Sequence, residues 1–81
     1  MRLPRDMSAQ ALIALLERYG YRVTRQTGSH IRLTTMRGGE HHVTIPNHDP
    51  LRIGTLNAVL RDVAEHLGVT RDQLLSSARD D

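Results

Sequence analysis

Apolar residues recur at helical spacing in two segments of the chain. In residues 9–19 they stand three or four positions apart, with Ser8 placed as an N-cap and Gly20 after the last turn. The second segment has the same spacing in its leucines and valines, namely Leu56, Val59, Leu60, Val63 and Leu67. Gly68 closes this segment. The pattern predicts two amphipathic helices.

Between these helices the period changes to two, which is typical of strands with one buried face. Apolar and polar residues alternate in three short runs between residues 21 and 45. The apolar side is expected to hold Tyr21, Val23, Ile31, Leu33, Val43 and Ile45. The break at Gly28 and the glycine pair in residues 36–40 predict tight turns, and Pro46 ends the third run. A three-stranded antiparallel meander follows from this pattern.

A loop is predicted over residues 46–54, before the second helix. Beyond that helix, Thr70 and Gln73 have the spacing of a capping box, which predicts a short third helix. The element order is then α-β-β-β-α-α, and the helices must cover the apolar face of the sheet because nothing else can bury it. We therefore expect an α+β fold with helices on one face of an antiparallel sheet, in a single domain over residues 1–81.

Charge is unevenly distributed along the chain, although the net charge is only +2. All eleven basic residues are arginine, and five of them fall between positions 18 and 39, where no acid occurs: Arg18, Arg22, Arg25, Arg32 and Arg37. Such a segment fits a polyanionic partner, while codon composition alone is an equally good reason for the use of arginine. The only aromatic residues are two tyrosines, which argues against a sheet that stacks RNA bases.

The sequence argues against disulfides, metal centres and a location in or across a membrane. The chain has no cysteine, which excludes disulfides and cysteine-ligated metal centres. No apolar run is long enough to cross a bilayer and no apolar signal segment is present, so a cytoplasmic protein without membrane contact is expected. Glu40, His41, His42 and His48 offer possible metal ligands, but adjacent strand residues such as His41 and His42 point to opposite faces and no metal-binding spacing occurs. We expect neither a metal nor another cofactor.

His30 is the strongest single candidate for chemistry. It follows Gly28 and Ser29 at the start of the second strand, and alternation places it on the face opposite Ile31. It is therefore expected to face water or substrate, among nearby arginines such as Arg22 and Arg32. A histidine can act as acid or base near neutral pH, and arginines can hold phosphate oxygens. This combination suits metal-independent cleavage of RNA, and an ordinary exposed strand histidine is the competing interpretation.

A second candidate site lies where the 46–54 loop meets the second helix. Backbone N–H groups at a helix start attract anions, and Gly54 with Thr55 leaves the backbone open to approach. His48 and Arg52 of the same stretch are candidates for a second phosphate contact or a second proton-transfer group. The competing interpretation is that Thr55 simply caps the helix.

Four stretches of the chain resemble the HicA family of small toxins, which belong to HicA–HicB toxin–antitoxin systems. They are ERYGYRV at the end of the first helix, RQTGSHIRL, HVTIPNHDPLRIGTL and HLGVT at the end of the second helix. The resemblance covers the chain from about Ser8 to Leu75. An acidic end that includes Asp80 and Asp81 extends past it, and the chain has no lysine, whereas family members are often lysine-rich.

The resemblance implies a fold similar to the double-stranded RNA-binding domain. It also implies a ribonuclease that cleaves messenger RNA, with the histidine of the GSH triplet essential; in this chain that residue is His30, and Gly28 and Ser29 shape its turn. The segments expected to touch RNA are 27–30 and 48–55. A HicB-type antitoxin is the implied protein partner, and it would cover the active surface.

Three functions remain open at this point. The first is a type II toxin that cleaves messenger RNA without a metal, does not bind DNA by itself, and uses His30 for proton transfer with Arg22, Arg25 and Arg32 on the phosphate. The second is a non-catalytic RNA-binding module of the same fold, which would bind RNA with a steep salt dependence but leave it intact. The third is an adaptor that contacts only another protein.

Overall fold

The computed structural model of the protein describes residues 6–79, with side chains to Ser76. Asp80 and Asp81 of the acidic end lie outside the described residues. The elements are α1 (Ala9–Glu17), β1 (Arg22–Thr27), β2 (His30–Thr35), β3 (His41–Pro46), α2 (Ile53–Leu67) and α3 (Arg71–Arg79). The predicted order α-β-β-β-α-α and the α+β class are confirmed.

The N-cap predicted for α1 is present. The Ser8 side-chain oxygen accepts a hydrogen bond from the backbone N–H of Ala11 at 3.0 Å, which satisfies one of the free donors of the first turn. The helix ends at Glu17, two residues earlier than predicted, because the chain tightens into a turn in which the Tyr19 N–H donates to the carbonyl of Leu16. Gly20 follows with φ 94°, a value that favours glycine.

The capping box predicted for α3 is also confirmed. The Gln73 N–H donates to Thr70 Oγ1 at 3.0 Å, and the Thr70 N–H donates to Gln73 Oε1 at 2.7 Å. Leu74 and Leu75 of this helix are buried, and α3 packs against both α1 and α2. The third helix therefore belongs to the helical layer rather than to a loose tail.

The sheet is antiparallel with the strand order β1-β2-β3. α2 packs on β3, and α1 contacts β1. The inward side chains of β2 and β3 confirm the predicted alternation, since Ile31, Leu33, Val43 and Ile45 are all buried. The opposite face of the sheet, which carries the outward side chains of all three strands, is called the outer face below.

The prediction that Val23 is buried is wrong. Its side chain is 45% exposed, and every residue of β1 is exposed. β1 is an edge strand, and the pairing with β2 shifts between Val23 and Arg25 in a β-bulge. Val23 still pairs with Leu33 of β2, but Leu33 is fully covered while Val23 lies beyond the cover of the helices. Alternation identifies a face of a strand and carries no information on whether a helix lies over it.

The start of α2 also differs from the prediction. The helix begins at Ile53, with Arg52 at the N-cap position and without a side-chain hydrogen bond to the first turn. Gly54 and Thr55 therefore lie inside the first turn, so Gly54 is not a loop residue and Thr55 is not the cap. In the described part of the chain no helix is long and apolar enough to cross a membrane.

Candidate functional site

The turn between β1 and β2 presents His30 at the surface. Thr27 and His30 pair across the two strands, which leaves Gly28 and Ser29 as a two-residue loop. Gly28 has φ 58° and Ser29 does not have a positive φ, which is the pattern of a type II′ hairpin turn with glycine first. His30 is the first residue of β2, is exposed, and lies on the outer face opposite the buried Ile31. The orientation predicted for His30 is confirmed.

The loop after β3 lies against this turn. His30 pairs with Pro46, and the Asn47 N–H donates to the carbonyl of Ser29 at 2.6 Å. The carbonyl of His48 accepts a hydrogen bond from the first N–H of α1, at Ala9, over 2.9 Å. The backbone of the two segments predicted to touch RNA, 27–30 and the beginning of 48–55, is therefore held together at one end of the molecule.

The first turn of α2 continues this end of the protein. Arg52 and Gly54 are exposed and Thr55 is half-buried. A Cβ added at Gly54 would meet nothing within 4 Å, so the backbone there is open to an approaching group. The first turn of α2 contains no acidic residue that would repel an anion. This agrees with the open helix start expected from the sequence.

The β-bulge in β1 brings two arginines to the outer face. Arg22 pairs with Thr34 and Arg25 pairs with Arg32, although three positions separate Arg22 from Arg25. In a regular strand, residues three positions apart point to opposite faces. Thr24 is the extra residue of the bulge, and if it were instead paired in a regular strand the predicted phosphate-binding arginines would not share one face.

Arg25 and Arg32 face each other without a neutralising acid. No carboxylate in residues 6–79 forms an ion pair with either side chain, and both are exposed. Like charges directly opposite on neighbouring strands repel each other, and an anion placed between two guanidinium groups removes this repulsion. The pair, next to Arg22 on the same strand, gives the outer face the chemistry of a phosphate-binding surface.

A hydrogen-bonded chain of four side chains crosses the outer face, and we call it the relay. Thr24 Oγ1 lies 2.9 Å from Thr34 Oγ1, and Thr34 Oγ1 lies 2.7 Å from Nδ1 of His42. The Nε2 atom of His42 lies 2.7 Å from Oε2 of Glu40 in the β2–β3 turn. The relay therefore connects all three strands, from the bulge to the turn.

His41 points to the other face of β3, as the alternation predicts. Its Nδ1 lies 2.7 Å from the hydroxyl of Tyr21, and its Nε2 lies 3.1 Å from Oδ1 of Asp62 on α2. The ring stacks on that of His66, with centroids 4.2 Å apart and planes inclined by 10°. Together with Glu65, the two histidines and Asp62 line an open pocket. Burial, with the Asp62 charge in second place, raises the pKa of Tyr21 to about 12.

This pocket is at the opposite end of the sheet from His30, since Tyr21 precedes β1 and His41 begins β3. His66 also binds the β2–β3 turn, because its Nε2–H donates to the carbonyls of Arg37 and Gly39 at 2.9 and 3.1 Å. Among residues 6–79 no three or more histidine and acidic side chains are arranged to hold a metal ion. The hydrogen bonds and ring contacts of the pocket residues therefore hold α2 against the sheet and the β2–β3 turn.

The relay was not predicted from the sequence. The sequence indicates Glu40 and His42 only as possible metal ligands, and it shows Thr24 and Thr34 only as polar positions in the alternating runs. The relay can be identified only from the pairing of the strands, because Thr34 pairs with His42 and the bulge turns Thr24 toward Thr34. A period of two shows that Thr34 and His42 are both outward but does not show that they are neighbours.

Comparison with known proteins agrees with the resemblance found in the sequence. A family model described as the HicA toxin of bacterial toxin–antitoxin systems matches residues 9–64, from the start of α1 to Ala64 of α2. No curated protein and no solved structure gives a match. The matched region holds the whole sheet, the His30 turn and the loop beside it, and a toxin of such a system has a cognate antitoxin as its partner. The chain belongs to the HicA family of toxins.

Proposed function

We propose that the protein is an endoribonuclease that cleaves messenger RNA in the cytoplasm without a metal and is neutralised by a HicB-type antitoxin. His30 is the acid–base residue. Arg22, Arg25 and Arg32 bind the phosphate backbone. The observation that carries the proposal is the exposed His30 on the same face as the unneutralised pair of Arg25 and Arg32, in a chain of the HicA toxin family.

The cleavage step uses the 2′-hydroxyl of the RNA as nucleophile. Its oxygen bonds to the adjacent phosphorus while the bond from phosphorus to the 5′-oxygen breaks, and the hydroxyl proton passes to the imidazole of His30. The departing 5′-oxygen takes up a proton from His48 or from water. The arginines stabilise the negative charge that develops on the phosphate oxygens. Every group in this sequence is supplied by the protein, the RNA or water.

The geometry supports this use of His30 in two ways. The type II′ turn fixes its backbone at the end of a paired strand, so the imidazole is presented from a rigid element. The Asn47–Ser29 hydrogen bond holds the neighbouring loop, which carries His48, against the same turn. Gly54 and Thr55, in the first turn of α2 beyond Arg52, offer open backbone to a further phosphate of the same RNA.

The test is incubation of wild-type and His30→Ala protein with a long end-labelled RNA in excess EDTA, with the products separated on a sequencing gel. Wild-type protein is expected to cleave, and the variant is expected to be slower by about 10²–10⁴-fold, the usual contribution of one acid–base side chain. His30 is exposed, so thermal unfolding of the variant should match the wild type. His66→Ala, at the other end of the sheet, controls for the loss of a histidine; both variants are assayed well below their unfolding temperatures, because His66 also bonds the β2–β3 turn.

Other outcomes point to other functions. Equal cleavage by wild type and His30→Ala would refute the role of His30, and loss of cleavage in EDTA would refute the metal-independent mechanism. Intact RNA that is nevertheless bound at low salt would indicate the non-catalytic RNA-binding module. Absence of both cleavage and binding would indicate an adaptor for a protein partner.

A further inference from the structure

The hydrogen positions in the relay follow from the chemistry of its ends. The Glu40 carboxylate can only accept a hydrogen bond, so Nε2 of His42 carries the hydrogen of this contact. In the neutral imidazole Nδ1 then accepts, so the Thr34 hydroxyl donates to His42 and in turn accepts from Thr24. Both hydroxyl hydrogens are directed along the relay in this state. Neither is available to a ligand on the outer face.

Protonation of His42 reverses the direction of the hydrogen bond between His42 and Thr34. Nδ1 becomes a donor to the Thr34 oxygen, and the Thr34 hydroxyl hydrogen must turn toward Thr24 or outward. If it turns toward Thr24, the Thr24 hydroxyl loses its acceptor in the relay and can donate to the carbonyl of Arg32, 3.5 Å away, or outward. One protonation therefore adds a positive charge, and it allows a threonine hydroxyl to turn toward a bound anion. Both changes favour binding of an anion.

The charges around His42 on the outer face are of mixed sign. β1 contributes Arg22, which pairs with Thr34, and β2 contributes Arg32, two residues from Thr34 on the same face. The β2–β3 turn contributes Glu40, whose side chain is 61% exposed, and β3 contributes the uncharged Thr44. The helices pack on the opposite face. With neutral His42 the two arginines are partly offset by Glu40, and with protonated His42 the patch is clearly cationic.

Outward side chains on β2 recur every two residues, about 7 Å apart. Arg32 is the next outward residue after His30, and Thr34 is the one after that. Thr34 and its cross-strand partner His42 therefore lie about 13 Å along the strand from His30. This is too far for His42 to act on the phosphate that His30 handles. It is comparable to the distance spanned by two further nucleotides of an extended RNA strand.

We propose that the relay of Thr24, Thr34, His42 and Glu40 is an auxiliary phosphate subsite, which anchors the RNA strand two nucleotides from the cleaved bond and binds more tightly when His42 is protonated. The inference rests on the proposed function for the identity of the anion. It assigns to His42 a role in binding, separate from proton transfer at the cleaved bond. The competing explanation is that the relay only stabilises the sheet, as hydrogen-bonded cross-strand pairs do.

Binding is measured apart from cleavage, in a His30→Ala background, by fluorescence anisotropy of a labelled single-stranded oligoribonucleotide. Measurements at about pH 5.5 and pH 8 cover the range in which histidine side chains change charge. With His42→Gln added, affinity at the lower pH is expected to fall roughly tenfold, as for one hydrogen bond to a charged group. The slope of log affinity against log salt should fall by about 0.7, the value for one single-strand phosphate contact.

At the higher pH the two proteins are expected to bind alike. A Glu40→Gln change keeps an acceptor for His42 but removes a negative charge from the patch. It should strengthen binding of RNA at both pH values. Thr44→Ala, on the same face of β3 but outside the relay, is the control and should leave the pH dependence intact.

The outcomes separate this inference from the proposed function. Equal pH dependence and equal salt slopes with and without His42→Gln would overturn the subsite, and a fall in thermal stability alone would leave the relay a structural element. Cleavage of RNA that is lost in His30→Ala supports the proposed function whatever His42 does. If no variant binds RNA at low salt, the subsite is refuted, and the cleavage assay decides the proposed function separately.

Discussion

Arg25 of β1 and Arg32 of β2 lie directly opposite each other on the outer face, in Cα register across the two strands. Two like charges in this relationship destabilise an isolated sheet, whereas a phosphate between them is held from both sides. The same contact therefore lowers the stability of the free protein and raises its affinity for an anion. Stability and RNA binding are expected to change in opposite directions when either arginine is removed.

An Arg25→Gln variant tests this relationship. The free protein should gain about 0.2–1 kcal/mol in unfolding free energy because the repulsion is lost. RNA affinity should fall, with the salt slope lower by about 0.7 for the one phosphate contact removed. Denaturant unfolding and a salt titration of RNA binding measure the two effects. Arg61→Gln removes an exposed arginine from α2 and serves as the control; equal weakening by both variants would show that only net charge matters.

The turn before His30 provides a second prediction. Alanine at Gly28 must adopt φ near 58°, which costs about 1–2 kcal/mol although its Cβ would meet nothing within 4 Å. Thermal unfolding should show this loss, and cleavage should fall further because the turn fixes the position of His30. Asparagine tolerates this conformation better, so Gly28→Asn should retain more of both. Identical behaviour of the two variants would contradict the type II′ assignment.

Alanine at Gly54 is expected to raise stability, whereas alanine at Gly28 is expected to lower it. Gly54 lies in the first turn of α2 without a positive φ, and an added Cβ has open space. Gly54→Ala should therefore raise the free energy of unfolding by up to about 1 kcal/mol through helix propensity. Cleavage should fall, since the methyl group stands between the backbone and an approaching phosphate. Ala58→Gly, at an exposed position of the same helix, should lower stability and leave cleavage unchanged. A Gly54→Ala protein with full activity would remove this turn from the RNA surface.

Tyr21 is predicted to control stability without affecting cleavage. Tyr21→Phe removes the hydroxyl that bonds His41 and should cost about 1–2 kcal/mol at neutral pH, with RNA cleavage unchanged. The folded protein holds the Tyr21 proton up to a pKa of about 12, above the ordinary value of 10.0. Its contribution is thus complete below pH 10.0 and is lost as the pH rises toward 12. The decline in unfolding free energy over that range should be smaller in the variant.

Local patterns in the sequence were sufficient for most of the fold. The caps at Ser8 and Thr70 depend on residues three positions away, so they can be identified without knowledge of the tertiary structure. The outward orientation of His30 follows from the alternation along β2 in the same way. These features were predicted correctly because the interactions that determine them are local.

The features that were mispredicted or missed depend on contacts between elements. The exposure of Val23 depends on how far the helices extend across the sheet, and the shared face of Arg22 and Arg25 depends on a bulge that periodicity does not reveal. The relay requires the register of three strands to bring Thr34 and His42 together. The RNA-binding role of these residues remains a prediction.

Thr24 makes β1 one residue longer than the part of β2 with which it pairs. Deletion of Thr24 would leave Arg22, Val23 and Arg25 facing Thr34, Leu33 and Arg32 in an uninterrupted ladder. Both guanidinium groups would stay outward, and only a hydroxyl would be lost. An added residue without a second bulge would instead turn one arginine toward the helices. In evolutionary terms, this strand can lose one codon and keep its charge pattern, but it cannot gain one as easily.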